Sequence, residues 1–131
     1  MIKPLVLIVE DDESLGKLYK RMIEILGGDV ELIHNGNAGI ERVRNQAARI
    51  FDILIIDLHL PGVSGQEILQ YTNSDLRYSS VLSLIITADE LLGKELDKTN
   101  LADAVLIKPV SLETYESFIK KVVAELETST A

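Results

Sequence analysis

Five short, largely apolar runs, separated by stretches with a helical pattern, constrain the fold of this chain more than any other feature. Runs of this length, bounded by polar or turn-forming residues, are typical of strands that are buried on both faces of a parallel sheet. Their alternation with helices predicts a sheet that helices cover on both faces. The predicted strands are Leu5–Val9, Val30–Ile33, Ile53–Ile56, Val81–Ile86 and Ala104–Ile107.

The stretches between these runs carry apolar residues at the three- and four-residue spacing of amphipathic helices. The first helix is expected to end at Gly27-Gly28, because glycine tolerates the left-handed conformation that often follows a helix. Ser64 and Glu67 have the spacing of a capping box and predict the start of the third helix, which continues to about Asp75. The other predicted helices are a second from Ala38 to Ala47, a weaker fourth from Asp89 to Lys98 that Gly93 interrupts, and a last from Leu112 to Leu126.

The length of 131 residues is that of one ordinary domain, and the sequence shows no linker, repeat or low-complexity segment. We therefore predict a single domain over residues 1–131, with a polar tail at about 127–131. Right-handed crossovers would place the carboxyl ends of all the strands at one edge of the sheet.

A formal net charge of -8 restricts the partners of this chain. Direct binding of nucleic acid is not expected, because phosphate backbones are bound by basic surfaces. The absence of cysteine excludes a disulfide framework, a thiol nucleophile and a cysteine-based metal site. The first apolar run is too short, and too soon followed by acidic residues, for a signal peptide or a membrane span, so we expect a cytoplasmic protein without a membrane segment.

Polar residues follow four of the predicted strands at the point where each strand ends. They are Glu10 and Asp11 after the first strand, Asp57 after the third, Thr87 after the fourth and Lys108 after the fifth. Open parallel sheets bind their ligands at the carboxyl ends of the strands. We therefore expect three carboxylates, a hydroxyl and an ammonium group in one shallow pocket.

Carboxylates this close together repel one another, so a cation must bind or some of them must be protonated. Oxygen ligands favour Mg²⁺, which commonly binds one or two carboxylates together with phosphate oxygens. Asp57 would then be the nucleophile of an aspartyl-phosphate reaction. Thr87 and Lys108 would donate hydrogen bonds to the oxygens of the phosphoryl group.

Each of these residues also has an ordinary structural explanation when it is considered alone. Glu10–Asp12 could be a solvated turn with a helix N-cap, and Asp57 could cap the turn before Pro61-Gly62. Thr87 could simply end a strand, and Lys108 could be a surface lysine. Independent accidents would not all fall at the same sheet edge, so the joint pattern favours a functional site.

The same residues carry a resemblance to the receiver domains of two-component response regulators, over essentially the whole chain. The matching segments are Val9–Asp12, Asp57–Gly62, Ile86–Ala88 and Lys108-Pro109, in the order and at the intervals of that family. The resemblance implies a flavodoxin-like (βα)5 fold, a doubly wound, five-stranded parallel sheet with helices on both faces. It implies a regulatory switch, not an enzyme with its own substrate, that accepts a phosphoryl group on Asp57 from a sensor histidine kinase or a phosphotransfer protein.

The resemblance also implies how a metal ion would be held. Asp11 and Asp57 would be direct Mg²⁺ ligands, together with the main-chain carbonyl of His59, and Glu10 would act through a metal-bound water. The side chain of His59 is not expected to be a ligand. Asp12 is expected at the helix start and outside the metal site.

Other family features concern the phosphoryl group and its consequences. Thr87 and Lys108 would contact the phosphoryl group, and the Lys108-Pro109 bond would be cis. His59 and Asp89 occupy positions that tune the lifetime of the phosphoryl group in the family. Many receivers carry an aromatic residue three positions before the lysine, where this chain has Val105, so the aromatic-rotamer switch of those receivers is not expected.

The output of such a switch would be a downstream protein or a fused output domain, because the chain contains no helix-turn-helix or basic arm. The resemblance implies a change in the surface around the fourth helix, the fifth strand and the fifth helix. A homodimer through this face would be one consequence.

Two other classes of protein fit part of the pattern. Phosphohydrolases of the haloacid dehalogenase type also use an aspartate nucleophile with Mg²⁺, but they need a second aspartate two residues later, where this chain has His59. A nucleotide- or flavin-binding module would need glycines or hydroxyls after the first strand, whereas Glu10–Asp12 would repel phosphate.

Overall fold

A five-stranded sheet forms the centre of the structure, a computed structural model that describes residues 3–129 and the side chains of residues 3–127. All four strand pairings are parallel. The predicted strands are confirmed, with ends that differ by at most one residue. They are β1 (Leu5–Val9), β2 (Asp29–Ile33), β3 (Ile53–Ile56), β4 (Leu82–Thr87) and β5 (Ala104–Ile107).

The strand order β2-β1-β3-β4-β5 confirms the predicted flavodoxin-like, doubly wound architecture. The chain moves from β1 to one neighbour, β2, and then returns to the other side of β1 to add β3, β4 and β5. The order therefore reverses between β1 and β3. In such sheets the crevice at the carboxyl ends of these two strands is where ligands bind.

Five α-helices connect or follow the strands. Each of the first four begins after an Asp, Asn or Ser whose side chain accepts a hydrogen bond from the amide three residues further on, as N-caps do. The helices are α1 (Glu13–Ile25), α2 (Gly36–Arg44), α3 (Gly65–Ser74), α4 (Glu90–Asp97) and α5 (Leu112–Ser129), and a short 3-10 helix spans Leu76–Tyr78. Within residues 3–129, no helix combines the length and the apolar composition needed to cross a membrane.

Two helix ends differ from the prediction. Helix α2 ends at Arg44 and does not reach Ala47, because the side chain of Asn45 accepts a hydrogen bond from the Ala47 amide at 2.9 Å and competes with the helical pattern. Helix α5 continues to Ser129, so residues 127–129 of the predicted tail are helical. Residues 130–131 of that tail lie outside the described part of the chain.

The sequence suggested that Gly93 interrupts α4. In the structure Gly93 instead lies buried inside a continuous helix. A Cβ at this position would lie 2.7 Å from Ile107 Cδ1, 3.2 Å from Thr87 Cγ2 and 3.4 Å from Val105 Cγ1. The missing side chain therefore allows α4 to pack closely against β4 and β5.

The sheet separates two hydrophobic clusters. One face is covered by α2, α3 and α4, and the other by α1 and α5. Side chains of β1 alternate between the two, with Leu5, Leu7 and Val9 in the first cluster and Val6 and Ile8 in the second. Burial on both faces is why β1 and β3 are apolar at every position.

Aromatic rings fill both clusters, with Phe51 in the first and Tyr115 in the second. The ring of Tyr115 stacks on Tyr19 with 4.7 Å between centroids, so that α5 packs against α1. Phe51 stacks on Tyr78 in the other cluster at 4.9 Å. Phe118 packs at the edge of the α1–α5 cluster and is partly buried.

The loop between β3 and α3 is fastened to the first turn of α2. The Gly36 amide donates a hydrogen bond to the Pro61 carbonyl at 2.8 Å, and Asn37 Oδ1 accepts one from the Val63 amide at 3.2 Å. A Cβ on Gly36 would overlap the carbonyl group of Val63. Only glycine allows the helix and the loop to approach this closely.

We expect Gly36→Ala to lower the free energy of unfolding by about 3 kcal/mol, because the methyl group would push the loop away from α2. Gly27→Ala is the matched control: Gly27 has a φ of +93° but nothing lies within 4 Å of its Cβ position, so only about 1 kcal/mol of backbone strain is expected. Urea denaturation of both variants measures the difference. Equal losses would show that the loop moves aside without cost.

Candidate functional site

The carboxyl ends of β1, β3, β4 and β5 bring together most of the polar residues that the sequence singled out. Glu10 and Asp57 are nearly buried, with exposed fractions of 2% and 8%, and Thr87 is fully buried. Asp11 is exposed at the rim. The Asp57 amide donates to the Val9 carbonyl at 3.1 Å, which extends the pairing of β1 and β3 to the start of the site.

Lys108 joins two of the carboxylates. Its Nζ atom lies 2.7 Å from Glu10 Oε1 and 2.8 Å from Asp57 Oδ2. These are charge-assisted hydrogen bonds, which are stronger than neutral ones and here lie where little water can screen them. The lysine reaches this position because its own amide donates to the Thr87 carbonyl at 2.8 Å and fixes the end of β5 beside β4.

The ionisation of the site reflects burial and these contacts. Burial raises the pKa of Glu10, and the bond to Lys108 opposes this only in part. Burial alone would lower the pKa of Lys108, but its bonds to Asp57 and Glu10 and their negative charge outweigh burial and raise it. The ammonium form of the lysine is therefore firmly held.

The acidic residues could hold a divalent cation. Carboxylate oxygens of Glu10, Asp11 and Asp57 all lie within 4.8 Å of one another. Oxygen donors at this spacing suit Mg²⁺, which binds few carboxylates and completes its shell with water or phosphate oxygens. The His59 amide donates to Asp57 Oδ1 at 3.3 Å, so the loop after β3 folds back over this carboxylate.

Asp12 lies outside this cluster of ligand atoms, at the start of α1. Its Oδ1 atom accepts a hydrogen bond from the Leu15 amide at 3.0 Å, which is the N-cap role that the sequence indicated. The Lys108-Pro109 peptide bond is cis, as the family resemblance implied.

Thr87 is linked to a residue beyond the acidic cluster. Its Oγ1 atom accepts a hydrogen bond from the Asp89 amide at 3.1 Å. The threonine hydroxyl is thus oriented by the loop that leads into α4. The structure thus brings Lys108 into direct contact with Glu10 and Asp57. The Thr87 hydroxyl is bonded instead to the loop between β4 and α4.

A pair of side chains that the sequence did not connect lies beside the site. His59 Nε2 lies 2.6 Å from Asp89 Oδ2, which joins the loop after β3 to the N-cap of α4. The bond to His59 is the main reason that the pKa of Asp89 is lowered. Their equivalent positions, two residues after Asp57 and Thr87, were visible in the sequence, but that the two side chains meet required the fold.

His34 also contacts the acidic turn, although nothing in the sequence connected it with the site. It is half-buried, and its Nδ1 atom lies 3.0 Å from the main-chain carbonyl oxygen of Glu10. Because a carbonyl only accepts, Nδ1 carries the proton in this contact. The histidine therefore supports the backbone that carries the acidic cluster.

The strand order and the acidic edge together define a flavodoxin-like α/β domain with a crevice lined by carboxyl groups at its switch point. Residues 6–120 match the family model of the response regulator receiver domain. The chain belongs to the receiver domain family of two-component response regulators. Receiver domains are regulatory switches, and the family binds Mg²⁺ through acidic residues.

Three relatives illustrate this membership. The chain is 33% identical over 108 residues to the transcriptional regulatory protein TrcR of Mycobacterium tuberculosis, which covers 82% of this chain and 40% of TrcR. It is 28% identical over 116 residues to the polar-differentiation response regulator DivK of Brucella anthropi, and this match covers 88% of this chain and 92% of DivK. The structure of the chemotaxis response regulator CheY4 of Vibrio cholerae matches with a TM-score of 0.80 at 25% identity. This match covers 92% of this chain and 99% of the CheY4 chain. The chain thus spans less than half of TrcR and nearly all of DivK.

We expect Lys108→Met to lower the free energy of unfolding by about 3 kcal/mol in the presence of a chelator, because two nearly buried carboxylates would lose their cation. Lys94→Met is the control, since it removes an exposed lysine that pairs with Glu90 on α4, and it should leave stability almost unchanged. Urea denaturation at neutral pH compares the two. A small loss for Lys108→Met would mean that the carboxylates are already neutral.

Proposed function

We propose that the chain is a phosphoacceptor switch in which Asp57 takes a phosphoryl group from a sensor histidine kinase or a phosphotransfer protein, in a reaction that depends on Mg²⁺. The observation that carries the proposal is the double contact of Lys108 with Asp57 and Glu10 inside a cluster of carboxylates. The contact of this lysine with Asp57 supports the proposal that it would bind a phosphoryl group there. Membership in the receiver family supports the same function.

In the proposed reaction an oxygen of the Asp57 carboxylate attacks the phosphorus atom of the donor. A new P–O bond forms, and the bond from phosphorus to the donor atom breaks, with the electron pair leaving on the donor. The donor atom is an imidazole nitrogen in a phosphohistidine protein and an oxygen in a small acyl phosphate. The chain's contribution to such a transfer is positioning and electrostatic stabilisation.

The charge on the phosphoryl oxygens would be offset from several sides. Lys108 would exchange part of its contact with Asp57 for one to a phosphoryl oxygen, and the Thr87 hydroxyl would donate to another. Asp11, Asp57 and the His59 carbonyl would hold Mg²⁺ directly, with Glu10 acting through water. The metal ion, when bound, would neutralise negative charge on the incoming group.

The consequence of modification is proposed to appear on the surface formed by α4, β5 and α5. Leu91 on α4 and Leu112 at the start of α5 have exposed fractions of 75% and 45%, so this surface offers apolar side chains to a partner. The partner would be a downstream protein, a fused output domain or, through dimerisation, a second copy of the chain. Because the chain spans 40% of TrcR, the proposal allows for further domains in a longer protein.

We expect acetyl phosphate to label the protein in the presence of Mg²⁺, and Asp57→Ala to abolish the label because the attacking oxygen is removed. The label should be released by hydroxylamine, as acyl phosphates are. Asp12→Ala is the matched control: it removes a neighbouring carboxylate that caps α1, and it should retain labelling. Labelling that persists unchanged in Asp57→Ala would contradict the assignment.

Mg²⁺ should raise the midpoint of thermal unfolding in a concentration-dependent way, because a ligand that binds only the folded state stabilises it. Asp11→Ala should remove this effect, since it takes away a proposed direct ligand, whereas Asp12→Ala should keep it. Circular dichroism melts with and without Mg²⁺ provide the measurement. An identical response of the two variants would show that Asp11 is not a ligand.

A further inference from the structure

Asp89 is bonded to three different parts of the molecule. Its amide donates to Thr87 Oγ1 at 3.1 Å, its Oδ1 atom accepts from the Leu92 amide at 3.0 Å, and its Oδ2 atom lies 2.6 Å from His59 Nε2. The first bond reaches a proposed phosphoryl contact, the second caps α4, and the third reaches the loop that follows Asp57. One residue therefore connects the site with the helix that borders it.

Packing adds a second connection between Thr87 and α4. The Thr87 methyl group lies 3.2 Å from the position of a Cβ on Gly93, and Val105 Cγ1 lies 3.4 Å from it. The threonine methyl is thus in contact with the buried face of α4. No bulky residue separates the strand from the helix at this point.

These two connections respond together to a rotation of Thr87. Its hydroxyl and its methyl are attached to the same Cβ, so a change of χ1 moves both. If the hydroxyl turns towards a phosphoryl group on Asp57, the acceptor of the Asp89 amide moves away. At the same time the methyl changes its contact with Gly93. The start of α4 cannot keep both contacts in their present form.

We propose that Asp89 couples the state of Asp57 to the position of α4, and that its bond to His59 holds the arrangement of the unmodified protein. This inference rests on the proposed function and specifies how the site is read. The His59–Asp89 bond ties the start of α4 to the loop after β3. A movement of α4 therefore requires that this bond opens or that the loop after β3 moves together with the helix. Modification then shifts a balance between two arrangements.

The expected size of the effect follows from the exposure of the pair. The side chains of His59 and Asp89 are 67% and 30% exposed, and polar contacts between side chains this exposed contribute little, even where both are charged. Removing the bond should therefore shift the balance towards the modified arrangement by roughly two- to fivefold. The apparent affinity for beryllofluoride with Mg²⁺, which mimics the phosphoryl group, should rise by the same factor.

The test uses two variants that remove the bond in different ways. His59→Ala leaves the cap of α4 intact, and Asp89→Ser keeps a capping oxygen but loses the partner of His59. Beryllofluoride titrations followed by the amide resonances of Leu92 and Gly93 measure the affinity and the response of α4. Both variants should bind more tightly than the wild type, and the double variant should show no further gain because one bond has been lost.

Glu90→Gln is the matched control, since it removes the exposed ion pair with Lys94 on the same helix and should leave the titration unchanged. If His59→Ala raises the affinity for beryllofluoride by the same factor in the wild type and in Asp89→Ser, the two residues are not coupled and the inference is wrong. If His59→Ala and Asp89→Ser bind beryllofluoride with the same affinity as Glu90→Gln, the inference is also wrong. The proposed function would still stand, provided that the wild type binds beryllofluoride. Failure of the wild type to bind beryllofluoride and to take label from acetyl phosphate would overturn the proposed function itself.

Discussion

The ammonium group of Lys108, held between the carboxylates of Glu10 and Asp57, is the interaction on which the rest of the site depends. Two nearly buried carboxylates repel each other and lose hydration, so a cation has to accompany them. Lys108 follows β5, two strands away from β3, which is about 10 Å in a regular sheet. A long side chain must therefore extend across the end of β4, where Thr87 offers little obstruction. The contacts join residues 51 and 98 positions apart and so depend on the whole strand order.

One lysine does not neutralise the whole cluster. With Asp11 included, the cluster has three carboxyl groups and one ammonium group, and a single divalent cation could balance the negative charge that remains when all three are ionised. The same negative charge would repel an incoming phosphoryl group if no cation were present. The electrostatics of the cluster alone thus give a reason why phosphoryl transfer to Asp57 would depend on Mg²⁺.

The sequence predicted the strands, their parallel pairing and the residues at their ends, because burial on both faces leaves an unmistakable apolar pattern. The order of the strands came from the family resemblance. The prediction failed where a local signal competed with tertiary packing. Gly93 was expected to interrupt α4, but close approach to β4 and β5 outweighs its low helix propensity. The end of α2 at Arg44 depended on a side-chain hydrogen bond of Asn45. The pairing of His59 with Asp89 could not be predicted, since periodicity reports which faces are buried and not which loops meet.

Family membership accounts for the acidic cluster and its lysine. The proposed link from this site to α4 rests on Thr87, Asp89 and Gly93. With Val105 where many receivers have an aromatic ring, no large side chain is available to swing between two positions beside β5. The missing side chain of Gly93 brings α4 against the Thr87 methyl group, so a small displacement of that threonine already reaches the helix. Well-packed interiors transmit such displacements because they cannot absorb them. Direct contact could therefore replace the moving ring, provided that the start of α4 is held in the unmodified state, which is the role that we propose for Asp89.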